Sequence, residues 1–94
     1  MSELQKNKTR ELEWIFKGVA NKHRIGVLIL LGNESELSVV DLSEKLKIDY
    51  KSLSEHLRKL MLAGLIMKRN DGNFVKHALT TRGKSILQFC RIVV

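Results

Sequence analysis

Ninety-four residues make one small domain, and a chain this short buries only part of its apolar surface, so burial against a partner would add stability. With 44% hydrophobic residues, 29% charged residues and no proline, the composition is that of a soluble globular chain and excludes a disordered or fibrous one. The net charge of +7 is lopsided: residues 1–48 carry eight Lys/Arg against seven Asp/Glu and residues 49–94 nine against three, the one-sided excess expected of a polyanion binder.

The first ten residues are too polar for a secretory signal. The most apolar stretch, Ile25 to Leu31, falls well short of the ~20 residues that span a bilayer. The chain is therefore expected to stay in the cytoplasm without membrane contact. A first helix is predicted from about Thr9 to Ala20, where Leu12, Ile15, Phe16 and Val19 form one apolar stripe and Trp14 points to the other side. Asn21 is placed to cap a second helix from Lys22 to Leu31, apolar all round in its later part and so central to the core. Gly32-Asn33 is expected to end it in a left-handed conformation.

Ser38-Val39-Val40-Asp41 has the spacing of a capping box and starts a third helix, to about Lys45, with Val39, Leu42 and Leu46 inward. After a tight turn, Asp49 caps a fourth helix that runs to Ala63 and stops at Gly64. Two short helices joined by a tight turn, here 39–63, form a helix-turn-helix, whose second helix enters the major groove of DNA. Leu53, Leu57 and Leu60 cluster on the inner side of that helix, and Lys51, Ser52, Glu55, Arg58 and Lys59 spread over the outer side. Lys51, Ser52 and Glu55 lie nearest its N-terminus and are the candidates for base edges. Arg58 and Lys59 are candidates for phosphates, which position the protein without specifying sequence.

Residues 65–79 read as a wing: strand-like runs Leu65–Arg69 and Phe74–Leu79 flank an Asp-Gly turn signal. Lys68, Arg69, Lys76 and His77 make it basic, suited to backbone or minor groove beside the recognition helix. Asp71 is assigned to turn geometry. Thr80 or Thr81 then caps a last helix over about 81–92. Ile86, Phe89, Cys90 and Val93 line one side of it, too much apolar surface for one neighbour. This helix and the first one are therefore expected to form a two-fold dimer interface that includes Trp14. The single cysteine, Cys90, excludes an intrachain disulfide framework; a buried thiol and a bridge across a dimer axis both remain open.

Phe16-Lys-Gly-Val-Ala20 with His23-Arg-Ile25, and Leu53-Ser-Glu-His-Leu-Arg-Lys-Leu60 with Ala63-Gly-Leu-Ile66, resemble the ArsR-type (arsenic-repressor-like) winged-helix regulators over about Phe16 to Leu79. Leu79-Thr-Thr-Arg-Gly83 resembles the step from wing to last helix in MarR-like proteins. The resemblance implies that Lys51, Ser52, Ser54, Glu55 and His56 approach DNA, His56 by a capping or phosphate contact or else as a structural histidine. It also marks two departures. Metal-sensing members often carry two cysteines where Ser38 and Val40 stand, and the other common site needs His and carboxylates on a last helix that here offers only Cys90. No metal or other cofactor is therefore expected.

The fold class is mostly α with a small β-hairpin, a winged helix-turn-helix in the order helix-helix-helix-helix-hairpin-helix. The function this implies is a homodimeric, sequence-specific regulator of transcription that binds double-stranded DNA. An RNA-binding or protein-docking winged helix is the alternative. RNA readers usually expose aromatics for stacking, and the few aromatics here mostly fall on core-facing stripes. An enzyme is not expected: His23, His56 and His77 lie on different elements, and no nucleophile-base constellation or phosphate loop is present.

Overall fold

A computed structural model describes residues 1–94. In chain order the elements are α1 (Glu3–Val19), α2 (Lys22–Asn33), β1 (Leu37–Ser38), α3 (Val39–Leu46), α4 (Tyr50–Leu62), β2 (Ile66–Asp71), β3 (Phe74–Leu79) and α5 (Thr81–Val93). The caps explain where the helices begin. Asn21 accepts from the amides of His23 and Arg24, Ser38 and Asp41 close a reciprocal capping box, Asp49 accepts from Ser52 N, and Thr80 accepts from Gly83 N. α1 begins at Glu3 rather than near Thr9, because Ser2 and Gln5 form a capping box of their own.

α2 is central, as its composition requires: Val27, Leu28 and Leu31 are buried, and the helix packs against α3, α4, α5 and β3. It does not end in a left-handed turn at Gly32-Asn33. Both residues are helical and the C-cap is Glu34 with φ −127°. Gly32 serves packing instead, since a Cβ there would collide with the Leu87 side chain of α5. Leu42, Leu53, Leu57, Leu60 and Leu65 complete the centre of a sixteen-residue core.

The sheet has three strands in the order β1-β3-β2, all antiparallel. The sequence reading gave only the hairpin. Leu37 and Ser38 add a third strand, pairing with His77 and Lys76. A two-residue strand carries no alternation to detect, and Ser38 announces itself as a helix cap. The hairpin turn is Gly72-Asn73, flanked by the pair Asp71↔Phe74. Gly72 takes φ +63°, the glycine-first turn that matches strand twist. Asp71 is thus the last residue of β2, and its carboxylate meets Lys76 Nζ at 3.3 Å.

The first helix corrects the predicted stripe. Ile15 and Val19 are buried, but Leu12 and Phe16 are exposed. None of the chain's five aromatic residues is buried, so the aromatics do not lie in the core as the sequence suggested.

Candidate nucleic-acid interface

α4 projects its charged side outward because Leu53, Leu57 and Leu60 hold the opposite side in the core. Lys51, Ser52, Glu55, Arg58 and Lys59 are all exposed, whereas Ser54 and His56 are half-buried on its two flanks. Asp49 anchors the first turn, and the amide of Ser52 (3.0 Å) is the main reason its carboxyl lies below the usual carboxylate value.

Not every candidate is equally free. Arg58 donates to both oxygens of Glu55, from Nε at 3.0 Å and Nη2 at 2.6 Å, and this pairing holds the Glu55 carboxyl below its ordinary value. Lys51, Lys59 and Lys68 make no ion pair. His56 is drawn into the fold. Its Nδ1 accepts from Arg24 Nε at 3.3 Å and its ring lies 5.5 Å from that of His23. Burial, then the charge of Arg24, pushes its pKa below the ordinary histidine value, which favours the neutral ring at pH 7.

The wing divides its four basic positions. Lys68 pairs across the ladder with His77, and Arg69 with Lys76, so the two pairs face opposite sides of the sheet. Lys68 shares a cleft with Tyr50 and Ser54 of α4, which brings wing and α4 together. Arg69 and Lys76 face the other way, Arg69 meeting Glu36 at 2.7 Å and Lys76 meeting Asp71. His77 is 1% exposed. The expectation that its side chain contacts DNA is therefore corrected: as part of the middle strand, it is enclosed between Leu37 and Lys68.

Two residues of this region escaped the sequence reading. Tyr50 opens α4 and is 62% exposed; its signal was the position directly after the cap. Arg24 is buried with Val27, Leu28 and Leu31, and the i, i+3, i+4, i+7 spacing placed it on that inward stripe.

The expected interface residues are split as well. Trp14 stands on the side of α1 opposite Leu12 and Phe16 at 100° per residue, and its Nε1 donates to Leu62 O of α4 at 3.2 Å. Within one chain it therefore does not share a face with Phe89. Phe16 does, with ring centroids 6.5 Å apart. Phe89 and Val93 are exposed, Cys90 is half-buried with a free thiol, and Ile86 packs partly on the core. Arg82, which also caps α4 at Ala63 O (3.1 Å), ties α5 to Glu11 of α1 at 2.6 Å.

Comparison with known proteins locates this architecture. A family model described as "Bacterial regulatory protein, arsR family" matches residues 21–68. The transcriptional activator HlyU of Vibrio cholerae is 32% identical over 81 residues, 86% of this chain and 73% of HlyU. The arsenical resistance operon repressor of Escherichia coli is 35% identical over 66 residues, 70% of this chain and 56% of the repressor, so this chain spans little more than half that relative's length. Among solved structures, reduced HlyU from V. cholerae superposes with a TM-score of 0.83 at 30% identity, covering 99% of this chain and 97% of the other. A homodimeric winged helix-turn-helix DNA-binding domain from Mycobacterium bovis superposes at 0.86 over 99% of this chain and 86% of the other; at 19% identity it speaks to the fold.

Proposed function

The chain belongs to the arsR family of bacterial regulatory proteins and is a transcriptional regulator with a winged helix-turn-helix fold; we propose that it works as a homodimer on double-stranded DNA, with α4 in the major groove and the wing on the neighbouring backbone. The observation that carries this reading is the joint surface of α4 and β2. Lys68 shares it with Tyr50 and Ser54, Lys51 is exposed in the first turn of α4, and neither lysine has a carboxylate partner. Lys51, Ser52, Ser54 and Glu55 are assigned to base edges and Arg58 and Lys59 to phosphates, with Lys68 the wing's principal cation. Arg69 and Lys76 contribute charge from behind the wing. In a two-fold dimer the recognition helices repeat about one DNA turn apart, ~34 Å.

The apolar face shared by α1 and α5 supports the dimer. Leu12, Phe16, Phe89 and Val93 are each about half-exposed or more in one chain, and contiguous apolar surface of this kind marks a binding face. The M. bovis domain of the same fold is homodimeric.

The test is fluorescence anisotropy with duplex DNA from the gene's own upstream region, against scrambled duplex, at two salt concentrations. The reading expects salt-sensitive binding that favours the upstream duplex by ~10³-fold, and Lys51→Ala to shrink that preference. No binding to either duplex at low salt would overturn it. The exposure of Tyr50 at this surface favours adding duplex and single-stranded RNA as competitors. RNA that competes better than DNA would move the assignment to RNA.

A further inference from the structure

Arg24 is a buried cation without a counter-ion. It is 9% exposed, and its guanidinium donates only to neutral acceptors: Nη1 to the carbonyls of Lys17 (3.2 Å) and Gly18 (2.9 Å), and Nε to His56 Nδ1. Those carbonyls end α1, and a helix C-terminus supplies roughly half an elementary negative charge. No carboxylate completes the balance. Glu13 meets Lys17 at 3.7 Å, and Glu55 is held by Arg58 through both oxygens. A largely buried guanidinium balanced only by neutral acceptors, with Nη2 left to solvent, favours an anion beside it.

Arg24 Nη2 makes no hydrogen bond, and the residue lines an open cleft of about 390 Å³ between α1 and α4. That volume suits a small molecule. The other walls are three cations, Lys17, Arg58 and Lys59, three apolar side chains, Trp14, Leu62 and Ala63, and Gly18. Trp14 donates to Leu62 O, which orients the indole along the cleft. Lys59 has no carboxylate partner. The cleft lies on the side of α1 opposite Leu12 and Phe16, so a dimer through that face leaves it open.

We propose that this α1–α4 cleft binds a small organic anion, an aromatic carboxylate, with its charge against Arg24 and Lys59 and its ring along Trp14 and Leu62. One half-compensated guanidinium and one free ammonium suit a single negative charge, and the indole and Leu62 give the ring an apolar surface. Arg58 and Lys59 also stand on α4, so an occupied cleft withdraws positive charge from the helix assigned to DNA. That consequence rests on the proposed function; the binding itself does not.

Trp14 is the sole tryptophan and reports occupancy directly. The full chain is titrated, without DNA, with benzoate and phenylacetate, with their neutral amides, and with inorganic phosphate, at constant ionic strength. The expected result is a saturable change in tryptophan fluorescence with the carboxylates, roughly tenfold weaker for the amides and in Lys59→Gln. Lys59 is exposed, so this variant keeps its fold where a change at Arg24 would risk it; circular dichroism checks that it does. An unsaturable response to both carboxylates, equal binding of the amides, or unchanged binding by Lys59→Gln would each overturn the site. Phosphate saturating as tightly as the carboxylates would overturn the aromatic ligand class. Because no DNA is present, failure here is distinct from failure of DNA recognition.

Discussion

Lys68 and Arg69 are neighbours in sequence with different surroundings. Lys68 faces α4 unpaired, whereas Arg69 lies behind the wing at 2.7 Å from Glu36. Lys68→Ala is therefore expected to weaken binding to specific and scrambled duplex alike and to lower the salt slope by about one unit, with a smaller change for Arg69→Ala. Equal effects would show that the wing approaches DNA through its other face. His77 makes a different prediction. Burial first, and the charge of Lys68 beside it, hold its pKa below the ordinary 6.5. The unfolded chain takes up that proton near 6.5 while the folded chain stays neutral, so stability falls as pH drops below that value and stops falling only below the folded-state pKa. The slope is at most about 1.4 kcal/mol per pH unit from this residue. Urea midpoints at pH ~7.5 and ~5.5 measure it, and His77→Leu should reduce the dependence, leaving the part that comes from His56, whose pKa is lowered as well. Sequence alone showed both wing residues as basic and could not separate them from Lys76 and His77, because strand parity puts alternate residues on opposite faces and only the fold says which face is covered.

The junction of β3 and α5 depends on a missing side chain. Gly83 lies in the first turn of α5, capped by Thr80, whose own Oγ donates to Gly64 O at 2.6 Å. A Cβ on Gly83 would run into the backbone carbonyl of Leu65, which cannot rotate away as a side chain would. Gly83→Ala is expected to destabilise by about 3 kcal/mol, or roughly 10–20 °C in Tm, measured by thermal circular dichroism. A loss below about 1 kcal/mol would mean that α5 can shift on the sheet without penalty. Local chemistry made the elements themselves legible: the caps at Asn21, Ser38, Asp49 and Thr80 are short-range bonds between near neighbours. Elements defined by a distant partner were not, as with β1, which exists only because β3 lies beside it. Gly32 looked like a helix stop for the same reason; its contact with Leu87 is fifty-odd residues away in sequence.

One chain exposes 6474 Å², against about 5,500 Å² for a compact monomer of this mass. The excess of about 900 Å² is close to one partner's share of a standard interface. Much of α1 accounts for it. Residues 1–14 are all exposed and only Ile15 and Val19 are buried, and a helix with so little tertiary support is marginal in water. Phe89→Glu, which sets a charge against Phe16 and the α1–α5 face, is expected to convert a dimer into a monomer by light scattering at tens of micromolar and to weaken DNA binding through lost bivalency. A wild-type monomer, or a dimer unaffected by the substitution, would place the two-fold axis elsewhere.

The helix order, the helix-turn-helix and the wing follow from the sequence because apolar period, capping residues and turn residues act over a few positions. The same is true of the outward charge of α4, fixed once Leu53, Leu57 and Leu60 point inward. Only the tertiary structure decided that Lys68 joins α4 while Arg69 does not, that His77 is enclosed, that Trp14 turns to α4 rather than to Phe89, and that Arg24 is buried beside three neutral acceptors. Each of these depends on which surfaces meet across long stretches of chain, and periodicity reports a residue's face without naming what that face will touch.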